Sequence, residues 1–161
     1  HIRGSAILHV GFVGVRKNGI VSGDDNGLAF YHNLYKVVMV NATETTRILG
    51  RYPSPGPEIS SKLKRPSTVF GLSPLPLGQL SHGSESFGLV AMLTPYKMII
   101  VSTKPTSLQP YKFSKPKNVA SDPIAQSKSI SGCLAWYPAD KFQHDPDSPV
   151  VHTDPLLAFS W

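Results

Sequence analysis

Cysteine is nearly absent from this chain, because Cys133 is the single one among 161 residues. No intrachain disulfide can therefore form, which fits a reducing compartment. Charged residues are also scarce at 16%. No apolar run approaches the about 20 residues of a transmembrane helix, and no segment shows a helical stripe of apolar residues. We expect a chain built from strands and turns.

Proline and glycine, in contrast, are abundant, with 15 and 13 residues spread along the chain. That distribution indicates many loops and turns rather than one low-complexity tail. Runs of β-branched and other apolar residues between them predict strands. The predicted strands span 6–14, 19–23, the first part of 27–40, 45–52, part of 67–78, 87–94, 97–103, 107–113, 130–139 and 155–161. Segments 53–67, 79–86, 114–129 and 141–154 are predicted to be loops.

Three segments restart the same order of strands and turns, which indicates an internal repeat. Each restart places a bulky apolar residue before a turn, namely Phe12, Leu72 and Trp136, at spacings of 60 and 64 residues. A WD-type propeller blade takes about 40 to 45 residues, and long Pro- and Ser-rich loops account for the excess. We therefore predict an all-β fold, a partial WD-like β-propeller of two to three antiparallel blades, with these three residues in the core.

The predicted repeat units are 1–66, 67–128 and 129–161. A closed propeller needs about four to eight blades, and this chain supplies fewer than three complete ones. We therefore expect it to be a fragment of one propeller domain within a larger ring.

The segment "IVSGDDNGLAFYH", residues 20–32, places two carboxylates and two glycines between two apolar strands. The acids could bind a metal, form a catalytic pair or build the turn. In WD-type repeats an Asp in this turn bonds a His that precedes the first strand, and His1 lies 23 residues before Asp24. We predict that His1, Asp24, Asp25 and Gly27 are structural turn residues, with Gly27 allowing positive φ.

Set against the WD-type repeat pattern, this blade is a divergent one. His9 is another candidate partner for the turn, but it lies inside the first predicted strand. The Trp-Asp pair that usually ends a WD repeat is replaced by Tyr31 and His32.

No other constellation of residues favours catalysis or metal binding. The segment "HDPDSPVVHTD", residues 144–154, holds suitable ligand types, but its spacing matches no known motif and two prolines interrupt it. No phosphate-binding glycine loop follows a strand and opens a helix. We predict no enzymatic activity, no cofactor and no metal site.

The net charge of +6 is compatible with nucleic acid, anionic lipid or an acidic protein as partner. No aromatic-rich recognition signature accompanies the basic residues, which favours solvated loop charge. An unrelated propeller that binds nucleic acid or anionic lipid through these loops is the alternative prediction. The basic residues are Arg16, Lys17, Lys62, Lys64, Arg65, Lys112, Lys115 and Lys117.

Several strand segments together resemble the N-terminal propellers of the vacuolar protein sorting-associated protein 8 family. The resemblance is carried by "VGFVGVRKNGIVSGDDNGLAFYH", "ETTRILGRY", "AMLTPYKMIIVSTKP", "GCLAWYPA" and "LLAFSW". It implies a scaffold of the endosomal tethering complex CORVET, with the other tethering subunits and an early-endosomal Rab GTPase as partners. It also implies a cytoplasmic protein held peripherally on the endosomal membrane, with no residue assigned to partner binding. The family's zinc-binding RING domain is not in this segment, so no zinc site is implied.

Overall fold

A computed structural model describes residues 1–14, 18–52, 68–78, 83–106, 111–120 and 132–161. Within these ranges the fold is all-β, with two four-stranded and two two-stranded antiparallel sheets. The described helices are a 3-10 turn at Gly83–Phe87 and one four-residue turn, α1, at Lys117–Ala120. None of the helices in these ranges is long and apolar enough to cross a membrane.

The first two sheets each contain four strands in sequential order, as in successive hairpins. The first sheet contains β1 (Ile7–Val13), β2 (Gly19–Asp24), β3 (Ala29–Val37) and β4 (Val40–Leu49). The second contains β5 (Gly71–Pro74), β6 (Leu89–Leu93), β7 (Lys97–Ser102) and β8 (Tyr111–Ser114).

The last part of the chain folds as one long hairpin with an interruption. Strand β9 (Cys133–Tyr137) pairs with β12 (Leu156–Ser160), and we call this pair the third sheet. Beyond the interruption, β10 (Asp140–Phe142) pairs with β11 (Val151–Thr153).

The first strands of the three sheets lie side by side and run in the same direction. Gly11 of β1 is so close to β5 that a Cβ on it would sit 2.8 Å from the Pro74 ring. Gly71 of β5 approaches Leu134 of β9 in the same way, and the Trp136 indole N–H donates to the Ser73 carbonyl at 2.9 Å. The sheets therefore stack face to face through neighbouring first strands, as consecutive propeller blades do.

The core lies between the first and second sheets, where alternate residues of each strand interdigitate. Strand β6 has buried residues on both of its faces because the second sheet is covered by the first on one side and by the third on the other. This double burial explains why its sequence, "LVAML", is a continuous apolar run. The buried cluster consists of Val13, Val21, Ala29, Tyr31, Ile48, Val69, Val90, Met92, Ile99 and Val101.

The prediction that Phe12 belongs to the core is wrong, because its side chain is 63% exposed. Leu72 is half-buried and packs against the core cluster, and Trp136 is half-buried against the second sheet. Leu72 and Trp136 use the strand face that meets the preceding sheet. Phe12 lies on the corresponding face of β1, opposite Val13, and no described sheet covers that face.

Three predicted loops also contain regular structure, and most of the 3-10 turn at Gly83–Phe87 lies in the predicted loop 79–86. The segment 141–154 was expected to be a loop, but it holds most of β10 and all of β11. The segment 114–129 contains α1. Strand β4 begins at Val40 rather than at residue 45, so that β3 and β4 form one hairpin. The predicted loop 53–67 lies outside the described residues.

Candidate functional site

Asp24 ends β2, and its side chain is fully buried. Its Oδ1 accepts hydrogen bonds from the backbone N–H groups of Asn26 at 3.0 Å and Leu28 at 2.8 Å. The chain can reverse here because Gly27 has a φ of 82°, a conformation that costs glycine little. The carboxylate therefore acts as the acceptor for two backbone N–H groups of the turn, as Asp side chains do in such turns.

The other carboxylate oxygen of Asp24 contacts His1. Oδ2 accepts a hydrogen bond from His1 Nδ1 at 2.8 Å, and the His1 ring packs edge-on against Phe30, with centroids 4.8 Å apart. His1 Nε2 lies 2.7 Å from Ser22 Oγ. His1, rather than His9, is thus the partner of the turn.

The hydrogen bonds continue from Ser22 across the sheet. Ser22 Oγ lies 3.2 Å from His32 Nε2, and His32 Nδ1 lies 3.0 Å from Thr45 Oγ1. We call the connected side chains of Asp24, His1, Ser22, His32 and Thr45 the polar chain. It links the segment before β1 to β2, β3 and β4, so it spans the first sheet.

Asp25 has different partners from Asp24. Its Oδ1 accepts from the Ala6 N–H at 3.0 Å, and its own N–H donates to the Ala6 carbonyl at 3.0 Å. The Asp25 carbonyl accepts from Thr68 Oγ1 at 2.8 Å, and the Asp24 carbonyl accepts from the Val69 N–H at 3.0 Å. The turn therefore ties the start of β1 to the segment that enters the second sheet.

The second sheet has a simpler form of the same turn. Thr94 follows β6, and its hydroxyl accepts from the N–H groups of Lys97 at 3.2 Å and Tyr96 at 3.4 Å. The Trp161 indole N–H donates to the Thr94 carbonyl at 3.0 Å. Sequence reasoning missed Thr94, although its position directly after a strand and before Pro95 could have revealed it.

His32 lies in the polar chain with its imidazole partly buried. Burial lowers the pKa of His32 below its ordinary value. The folded chain therefore favours neutral imidazole, while the unfolded chain takes up a proton near pH 6.5.

We expect this difference to make the free energy of unfolding pH-dependent. The stabilisation from neutral His32 is complete above the unfolded pKa and is lost as pH falls through the lower folded pKa. Wild-type protein should lose more stability than His32→Gln between about pH 7.5 and about pH 5, as measured by urea unfolding at each pH. Equal losses in the two proteins would contradict this assignment.

The other sequence candidates do not form a site among the described residues. In that part of the chain, no three His, Cys, Asp or Glu side chains converge as metal ligands. Lys112 lies in β8, and Lys115 places its ammonium 5.8 Å from the centre of the Trp161 ring. Arg16, Lys17, Lys62, Lys64 and Arg65 lie outside the described residues, so the basic-loop alternative stays a prediction.

A comparison with protein families agrees with this architecture. The family model described as Vps8 beta-propeller matches residues 1–161, which is the whole chain. Neither the curated proteins nor the solved structures gave a match. The family match and the stacked four-stranded sheets lead to the same assignment, and the resemblance of the strand segments agrees with it. The chain belongs to the Vps8 β-propeller family and forms part of such a propeller.

Proposed function

We propose that this chain is a non-enzymatic interaction scaffold in endosomal membrane tethering of the CORVET type. The family match over residues 1–161 is the observation that carries the proposal, because this family is scaffold-type and implies membership of a multi-subunit tethering complex. In this proposal the sheets hold loops and hairpins in fixed positions, and partners bind those exposed segments.

The candidate site supports a structural role for the acids rather than a chemical one. Both carboxylates accept hydrogen bonds from the chain's own backbone, and Asp24 also accepts one from His1. A general base needs access to a substrate proton, whereas the Asp24 side chain is fully buried. The proposed role of His1, Asp24, Asp25 and Gly27 is to hold the first blade together.

The proposed partners are the other tethering subunits and an early-endosomal Rab GTPase. The protein would reside in the cytoplasm, and these partners would hold it peripherally on the endosomal membrane. Loops and hairpin tips are the natural contact surface, since the faces of the second sheet are covered by its neighbours.

The proposed function predicts selective binding by the full-length protein. It should co-purify with the other tethering subunits and should bind the GTP-loaded Rab at least about tenfold more tightly than the GDP-loaded form. Size-exclusion chromatography and titration calorimetry measure the two results. A Rab of the late secretory pathway is the matched control. A folded protein that binds neither the subunits nor the Rab would refute the proposal.

The arrangement of the sheets supports a second structural proposal. Leu8, Val10 and Phe12 form an exposed apolar row on β1, on the face through which the second and third sheets each contact the sheet before them. We expect another blade of the same ring to cover this row, since contiguous exposed apolar surface commonly marks a contact site.

A further inference from the structure

The β3–β4 hairpin continues past the end of the described pairing between β2 and β3. Strand β2 pairs with β3 only as far as Gly19 opposite Asn33, whereas β3 and β4 stay paired as far as Val37 opposite Val40. The Leu34 N–H still donates to the Asn18 carbonyl at 2.8 Å, so the three residues from 35 to 37 extend the hairpin by about 10 Å at about 3.3 Å per residue. The hairpin therefore ends in a two-stranded arm.

The end of this arm is apolar and almost completely exposed. We call residues Val37–Val40 the apolar tip. Val38 is 94% exposed and Met39 is 93% exposed, and Val37 and Val40 are also exposed. Single exposed apolar residues are ordinary, but four in succession at a projecting turn are a recognised sign of an interaction site.

The turn residues are poor choices for stability. Val38 has a φ of 57°, and no other non-glycine residue in the described part of the chain has a positive φ. A two-residue hairpin turn with positive φ at its first position favours glycine there. A β-branched side chain in that conformation is strained. The chain thus holds a strained, exposed valine where glycine would be both more stable and more soluble, which points to selection for contact.

The side chains along the arm are arranged in layers. Tyr35 and Lys36 come just before the apolar tip, and both are exposed. Farther from the tip, the exposed side chains include Thr43 and Glu44 as well as Leu34, which is 40% exposed opposite Thr43. An apolar end followed by an aromatic residue and a lysine matches the depth profile of a bilayer interface, where tyrosine lies at headgroup level and lysine extends its ammonium outward.

We infer that the apolar tip inserts into the interfacial layer of an anionic phospholipid bilayer. A stable protein interface uses about 20 to 30 residues on each side, and this apolar surface consists of four residues on a convex end. Shallow insertion needs only a few apolar side chains together with electrostatic attraction. Lys36 and the net charge of +6 provide that attraction. This inference is independent of the proposed Rab and subunit contacts.

The test compares turn variants of the full-length protein by flotation with phosphatidylcholine vesicles, with and without phosphatidylserine. The double variant Val38→Gly/Met39→Ser supplies the preferred turn residues and removes the apolar groups. We expect it to bind phosphatidylserine vesicles at least about tenfold more weakly, with an unchanged or higher melting temperature. Lys36→Gln should weaken binding about fivefold, and omission of phosphatidylserine should weaken it further.

The control is Phe142→Ser, which removes a 59% exposed apolar side chain from the β10–β11 hairpin. It should bind vesicles like the wild type. The inference is overturned if wild-type protein does not float with either vesicle, or if the double variant binds as tightly as wild type. The inference is also overturned if the double variant loses binding to a purified tethering subunit but keeps binding to vesicles, a result that would assign the tip to a protein interface.

Discussion

Replacement of Asp24 by alanine is expected to lower the free energy of unfolding by about 3 to 5 kcal/mol. The side chain is fully buried and accepts hydrogen bonds from Asn26 N, Leu28 N and His1 Nδ1. Alanine would leave these donors without an acceptor, and a buried unsatisfied donor costs about 1 to 3 kcal/mol. The loss should disorder both the turn and the segment before β1.

Two matched variants separate this effect from a general cost of mutation. Asp24→Asn keeps one acceptor oxygen and should cost less than alanine. Asp25→Ala removes one exposed hydrogen bond from the Ala6 N–H and should cost less than about 1.5 kcal/mol. Urea unfolding followed by circular dichroism measures all three variants. If Asp25→Ala proved as damaging as Asp24→Ala, the buried carboxylate would not be the main support of the turn.

Met92→Ala is expected to lower the free energy of unfolding by about 3 kcal/mol, within the usual range for a buried methionine. Met92 is fully buried in β6, and it faces the first sheet within the core cluster. Truncation leaves a cavity between the two sheets, so it weakens the contact between blades as well as the second sheet itself.

Met92→Leu is the control, because a swap that nearly conserves volume costs less than about 1.5 kcal/mol. Thermal unfolding should show one cooperative transition for wild type and a lower midpoint for Met92→Ala. An unchanged midpoint for Met92→Ala would contradict the placement of the core between the first and second sheets.

Much of the strand content follows from the sequence because apolar runs and turn residues alternate clearly. The hairpin of β6 and β7 is an example, since Pro95 and Tyr96 separate two apolar runs. Strands β10 and β11 could not be found in this way. Each has three exposed or half-exposed residues, so neither strand shows the alternation of apolar and polar residues that would predict it from the sequence.

The error at Phe12 has a different origin. The repeat correctly placed Phe12 on the strand face that Leu72 and Trp136 use, but a pattern within one strand cannot show whether a neighbouring sheet covers that face. In a propeller, whether the face of a strand is buried depends on the adjacent blade and therefore on how the repeats assemble.

The candidate site was only partly accessible from the sequence. The spacing between His1 and Asp24 follows a known pattern of WD-type repeats, so both residues could be named in advance. Ser22 and Thr45 could not, because their contacts with the histidines depend on the register of β2, β3 and β4. The exposure of Val38 and Met39 could not be predicted from the sequence either, since the apolar run "YKVVMV" resembles an ordinary strand.

A density map of the assembled tethering complex containing the full-length protein, at side-chain resolution, tests the central claim most directly. We predict that residues 1–161 form consecutive blades of one propeller within the complex, with the row of Leu8, Val10 and Phe12 beneath an adjacent blade and Asp24 bonded to His1. A map in which residues 1–161 do not form consecutive blades, or one in which Phe12 faces solvent beside an unclosed ring, would contradict the account.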